Sequence, residues 1–181
     1  DYIYLDTDER RRFAQVSHEY LIEQVQEQSI SNTTASGSSD LNFNHPVKEL
    51  IWVDKAENFA ASTANSGSLT AVASSNATYQ LKLNGHDRFA ARDFRYFTRT
   101  QVWQHHTGSG GLTSSGTGGT AGHLNDGIAV YSFALKPEEH QPSGTCNFSR
   151  IDTAKLEGKY NPKNDTRADT VTIYAVNYNV L

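Results

Sequence analysis

Two adjacent imidazoles, His105 and His106, close a segment (100 to 105) whose polar and apolar alternation predicts a β-strand, and they are the first metal-ligand candidates in the chain. Successive side chains on a strand point to opposite faces, so the two rings do not readily converge on one ion. Metal-holding β-sandwich enzymes place two histidines two positions apart with a glutamate beyond; here Thr107-Gly108-Ser109 follows instead. Cys146 and His140 offer two further soft ligands with no third or fourth in reach of sequence reasoning, and Cys146 reads as a small buried strand residue. Glu138-Glu139, after Pro137, could supply the two carboxylates of a hydrolase, yet in a turn they read as a solvated cap. Residues 116 to 122 are rich in glycine, but they lack the strand before and the helix after that let such a loop hold a dinucleotide. These residues therefore predict neither a catalytic nor a metal site, and no cofactor.

Two surface features carry more chemistry. If residues 88 to 99 are helical, Arg88, Arg92, Arg95 and Arg99 fall on one face at steps of four, three and four, a basic stripe suited to an acidic partner surface. Nucleic acid is a poor partner for it, because the chain as a whole carries a net charge of -4. Asn-x-Ser/Thr sequons begin at Asn32, Asn76, Asn147 and Asn164. Asn147 lies in a predicted strand, whereas Asn32, Asn76 and Asn164 lie in predicted loops and are candidate glycosylation sites.

The elements that must position these residues are mostly strands. Strand-like runs recur at residues 2 to 6, 19 to 28, 47 to 54, 78 to 83, 100 to 105, 128 to 136, 146 to 152 and 170 to 180. Helical pattern is confined to residues 7 to 15, with Thr7 as N-cap, and to 88 to 99, after the turn dipeptide Asn84-Gly85. Between the strands lie polar stretches at 29 to 40, 56 to 77 and 107 to 122; all but two residues of the last are Gly, Ser or Thr. Such segments cannot offset their ordering entropy by burial, so they read as exposed loops. Eight strands in one core predict an all-β, jelly-roll β-sandwich with one or two short helices and long polar loops. Its D–E, F–G and H–I connections, here 56 to 77, 107 to 127 and 153 to 169, would then gather at one end.

Composition sets the bounds. The chain has 181 residues, 36% of them hydrophobic and 10% aromatic, enough for one core of ordinary size. Mean hydropathy is -0.61 and no run approaches the roughly 18 apolar residues of a membrane span. One cysteine excludes an intrachain disulfide. There is no methionine, and the chain opens on Asp1 inside a strand-like run, so it reads as a piece of a longer reading frame, 1 to 181 forming a single domain.

Five strings, in this order, are distinctive together: residues 2 to 14 (YIYLDTDERRRFA), 47 to 53 (VKELIWV), 83 to 89 (LNGHDRF), 131 to 152 (YSFALKPEEHQPSGTCNFSRID) and 175 to 181 (AVNYNVL). With them the chain resembles the C-terminal jelly roll of the double jelly-roll major capsid proteins of nucleocytoplasmic large DNA viruses. The resemblance implies a structural protein rather than an enzyme, the second of two jelly rolls in its parent chain. It further implies a homotrimer contacting neighbouring capsomers and minor capsid proteins in the virion shell, assembled in the host cytoplasm. An internal viral membrane would lie nearby without being entered, and nucleic acid would not be touched. Arg88, Arg92, Arg95 and Arg99 become candidate subunit contacts, and residues 56 to 77 and 107 to 122 a candidate outer rim. The alternative is a carbohydrate- or receptor-binding β-sandwich using an aromatic such as Trp103 for stacking.

Overall fold

A computed structural model describes residues 5–32, 36–56, 78–108, 128–159 and 169–181. Two antiparallel sheets face one another. The first runs in the order β1 (Leu21–Asn32), β10 (Asp169–Val180), β3 (Pro46–Ala56), β7 (Ile128–Ser132), with the short β8 (Cys146–Asn147) also on β3. The second runs β2 (Ser36–Asp40), β9 (Ala154–Lys159), β4 (Thr78–Leu83), β5 (His86–Asp87), with β6 (Arg92–Asp93) also on β4. Each strand of one sheet has its chain neighbour in the other: β1 with β2, β3 with β4, β10 with β9. This double winding is the jelly roll.

The core follows from alternation. In β4 Tyr79 and Leu81 point inward, and β10 contributes Val171, Ile173 and Ala175. β3 sends Val47, Leu50 and Trp52 into the core while Ile51 and Val53 on its other face are half-buried, so its continuous apolar run is largely covered on both faces. Lys48 and Glu49 sit at the irregular register beside Val176 and Asn177, where one face gains an extra residue. Trp52, Tyr79 and Phe97 pack mutually, with ring centroids 5.2 to 6.0 Å apart. The sheets are also tied by amides: Gln26 and Gln28 of β1 each bond the backbone of residues 40 to 44 through both ends of the carboxamide.

Register locates the loops. Asn32, Ala56 and Asp169 lie side by side in the first sheet, as do Ser36, Thr78 and Lys159 in the second. Segments 57–77 and 160–168 thus leave and return at one end of the sandwich. Segment 109–127 returns near it at Ile128, opposite Val53, but departs two residues after His106, whose ring lies against Glu49 further down β3.

Five expectations are corrected. Residues 100 to 105 are helical, not a strand: a helical segment covers 94 to 105, passing through a π-turn (Tyr96–Thr100) into α2 (Gln101–His105). Its buried residues are Phe94, Phe97, Thr98 and Gln101, the i, i+3, i+4, i+7 pattern of a helix, with two of the four positions polar. The predicted helix over 88 to 99 is accordingly shifted; residues 88 to 91 are irregular, 92 and 93 form the short edge strand β6 on β4, and helix begins only at 94. Strand 146 to 152 shrinks to β8 followed by a 3₁₀ turn (Phe148–Arg150), and the strand of the second sheet is instead β9, within the stretch expected to be a connection. Residues 36 to 40, expected as loop, form β2 by backbone pairing with β9. Helix α1 (Thr7–Gln15) is present, capped by Asp6, whose carboxylate accepts the Thr7 amide, rather than by Thr7. Most of the predicted strand 2 to 6 lies outside the described residues.

Candidate functional site

The edge of the first sheet beyond β7 is closed by the helical segment 94 to 105. The edge amide of Ser132 donates to Gln101 Oε1, and Gln101 Nε2 donates to the Tyr96 hydroxyl, so a buried carboxamide satisfies a strand edge that would otherwise be open. The π-turn covers Tyr96–Thr100, where the half-buried Tyr96 ring packs edge-on, 5.1 Å between centroids, against the buried Phe97.

Where α2 ends, His106 turns back under the sheet. Its Nε2 lies 2.8 Å from Glu49 Oε2 and its Nδ1 3.1 Å from Glu138 Oε1. A ring with a carboxylate at each nitrogen donates twice only as imidazolium. Its titration is raised above the ordinary 6.5, first by the Glu49 hydrogen bond, which outweighs burial. Glu138 also accepts the Thr107 amide and hydroxyl, which hold its carboxyl below the ordinary value. This clamp joins β3, the end of α2 and the turn after Pro137. Glu138 is thus a solvated cap, as expected, that also accepts from His106, while Glu139 pairs with exposed Lys136. Neither Glu49 nor the clamp was visible in the sequence, because its three members are 32 and 57 positions apart.

His105 faces away, its Nδ1 at the Leu135 carbonyl, so the two histidines do not meet. Among the described residues no group of three His, Cys, Asp or Glu side chains is placed to hold a metal ion. Cys146 is half-buried and its thiol is pushed up by burial; His140 is exposed. The Gly-rich residues 116 to 122 lie outside the described residues.

The four arginines do not share a helix face. Arg88 follows β5, Arg92 is in β6, Arg95 opens the helical segment and Arg99 lies in the π-turn. Arg92 stacks over the Tyr96 ring at 4.5 Å and Arg95 over Phe94 at 5.2 Å, whereas Arg88 turns to the Tyr131 hydroxyl. Arg95, Arg99 and Trp103 recur every four residues, and Trp103 is 77% exposed. Asn32 ends β1 instead of lying in a loop, and Asn147 is exposed with its side chain capping Ser149. Asn76 and Asn164 lie outside the described residues.

Comparison with known proteins settles what this scaffold is. Residues 9–181 match the family described as the large eukaryotic DNA virus major capsid protein. The chain belongs to that family. It is 51% identical over 193 residues to the major capsid protein of Pyramimonas orientalis virus, covering 100% of this chain and 44% of that protein. To the major capsid protein of Paramecium bursaria Chlorella virus 1 it is 39% identical over 232 residues, covering 100% of this chain and 50% of that protein. The crystal structure of PBCV-1 VP54 superposes with a TM-score of 0.75 at 35% identity, covering 99% of this chain and 52% of that one. The Faustovirus major capsid protein, at 14% identity, shares the fold with a TM-score of 0.76, covering 98% of this chain and 36% of that one. The chain thus spans about half the length of the curated relatives it matches.

Proposed function

We propose that the chain is one of the two jelly rolls, the second, of a major capsid protein, and that it builds the shell of a large DNA virion without catalysing a reaction. The observation that carries this reading is the match over residues 9–181 joined to the double-wound sheet order. The capsomer is a homotrimer, in contact with neighbouring capsomers and minor capsid proteins and assembled in the host cytoplasm. It stands clear of the genome and beside, not within, any internal membrane; no helix among the described residues is long and apolar enough to cross one. The strand ends flanking 57–77 and 160–168 lie at one end of the sandwich, which favours that end as the outer rim, and Asn32, at the same end, joins Asn76 and Asn164 as a candidate glycan carrier. The arginines 88, 92, 95 and 99 serve as subunit contacts.

The test is direct. Antibodies raised against this chain should label the surface of intact particles, and mass spectrometry of purified particles should find its peptides among the most abundant. Absence from the particles refutes the reading.

A further inference from the structure

The turn that joins β4 to β5 is built from Asn84 and Gly85, the one Asn-Gly pair in the 181 residues. Their φ angles are +51° and +78°, the left-handed pair of a two-residue hairpin, and Leu83 faces His86 across it. The turn lies at the end of the sandwich away from Thr78 and Lys159, where the β4–β9 ladder finishes at Leu83 and Ala154. One step beyond the ladder, Asn84 clasps the chain that enters β9. Its backbone N–H donates to the Thr153 carbonyl at 2.7 Å, and its Oδ1 accepts the amides of Asp152 at 2.9 Å and Thr153 at 3.2 Å.

An asparagine followed by glycine is the pair most prone to lose its side-chain amide, because no side chain hinders the attacking nitrogen. The Gly85 nitrogen, having given its proton to solvent base, attacks Asn84 Cγ; the Cγ–Nδ2 bond breaks, and the leaving nitrogen takes a proton from solvent and departs as ammonia. Water then opens the resulting succinimide. Attack at Cγ gives aspartate, and attack at the backbone carbonyl gives isoaspartate, whose main chain runs through Cβ. Both residues are exposed, and a Cβ placed on Gly85 would meet nothing within 4 Å, so water and base reach the turn.

Two features of the site act in opposite directions. The two amides on Oδ1 are placed as the donors of an oxyanion hole are, and favour the negative oxygen of the tetrahedral intermediate. The backbone opposes closure. The ring needs the C–N bond to Gly85 eclipsed with the Cα–Cβ bond, whereas a left-handed residue has ψ of about +47°, which turns that C–N bond nearly opposite Cβ. Closing the ring takes about half a turn of ψ from that region, which parts Leu83 from His86 and pulls Asn84 off Thr153. Direction outweighs polarisation here, because a nitrogen that cannot reach Cγ gains nothing from a stabilised oxyanion.

We propose that Asn84 is a deamidation site that the fold holds silent, released when its clasp on Asp152 and Thr153 opens and altered irreversibly once it has reacted. Isoaspartate adds an atom to the main chain, so the two-residue turn and its Leu83–His86 register do not re-form. Aspartate keeps an oxygen for both amides and is the milder product.

The 181-residue chain, incubated in mildly alkaline buffer either native or in guanidinium chloride, tests this. Trypsin cuts after Lys82 and Arg88, and mass spectrometry of the peptide 83 to 88 (LNGHDR) follows the amide and separates the two products. The native chain should react more slowly by roughly tenfold or more, since three hydrogen bonds, each worth a factor of a few, must part together. Hydrogen exchange at the Asp152 and Thr153 amides measures the open fraction, and that fraction multiplied by the rate in denaturant should reproduce the native rate. A native rate that departs from this product, or an unfolded chain that keeps its amide, overturns the proposal. Refolded chains carrying isoaspartate should melt below the Asn84→Asp variant; equal melting overturns the irreversible alteration of the turn.

Discussion

Replacing His106 with alanine removes the one cation between two carboxylates, and the cost can be worked from the site. The His106 side chain is 17% exposed and Glu49 8%, so the variant leaves Glu49 nearly buried and without a counter-charge. A charge-assisted hydrogen bond contributes about 1.5–3 kcal/mol, and an orphaned buried carboxylate pushes the loss toward the upper half, about 2–3 kcal/mol. The pH dependence has two signs. His106 titrates above its ordinary 6.5, so its contribution is complete below pH 6.5 and is lost as pH rises through the raised value. Glu138 titrates below its ordinary 4.5, so its contribution is complete above pH 4.5 and is lost as pH falls through the lowered value. The difference in unfolding free energy between wild type and His106→Ala should be largest between pH 4.5 and 6.5 and should shrink as the solution is made alkaline. Urea unfolding at pH 6 and at strongly alkaline pH, with NMR titration of the imidazole, checks both parts. An equal difference at the two pH values, or an imidazole that titrates at or below 6.5, refutes the doubly clamped imidazolium.

Three further outcomes follow from single positions. Asn84 holds φ at +51° and its Oδ1 accepts the amides of Asp152 and Thr153, so Asn84→Ala should cost about 2 kcal/mol in urea unfolding. Asn84→Gly, which tolerates the left-handed backbone, should recover only the conformational part of that loss. Gly144 has φ +147° and a Cβ there would stand 2.8 Å from the Phe133 carbonyl oxygen, so Gly144→Ala should lower stability by about 2 kcal/mol or more, read as a drop in the thermal midpoint. Deleting residues 109–120, between the described Gly108 and Ile128, should leave the proposed trimer of the full capsid protein intact on size exclusion with light scattering; loss of the trimer would defeat the outer-rim reading.

The sequence was most legible where one physical signal dominated. β4 and β10 announce themselves by alternation, with Tyr79 and Leu81 or Val171 and Ile173 turned inward, and α1 by acids in its first turn. Asn84-Gly85 declared its hairpin turn because only such a pair holds two positive φ angles cheaply. The helical segment was misread because half of its buried stripe is Thr98 and Gln101, which an apolar count skips, while Val102 and Trp103 suggest a strand. β2, Ser36–Asp40, has no apolar residue at all; it is a strand because β9 offers a ladder, a fact of tertiary pairing. The His106 clamp and the Gln101 edge cap lie further still from local pattern, since each joins residues more than thirty positions apart. The arginines were recognised as a group for a helix face they do not share; Arg92 and Arg95 are brought near each other because β6 runs directly into the helical segment.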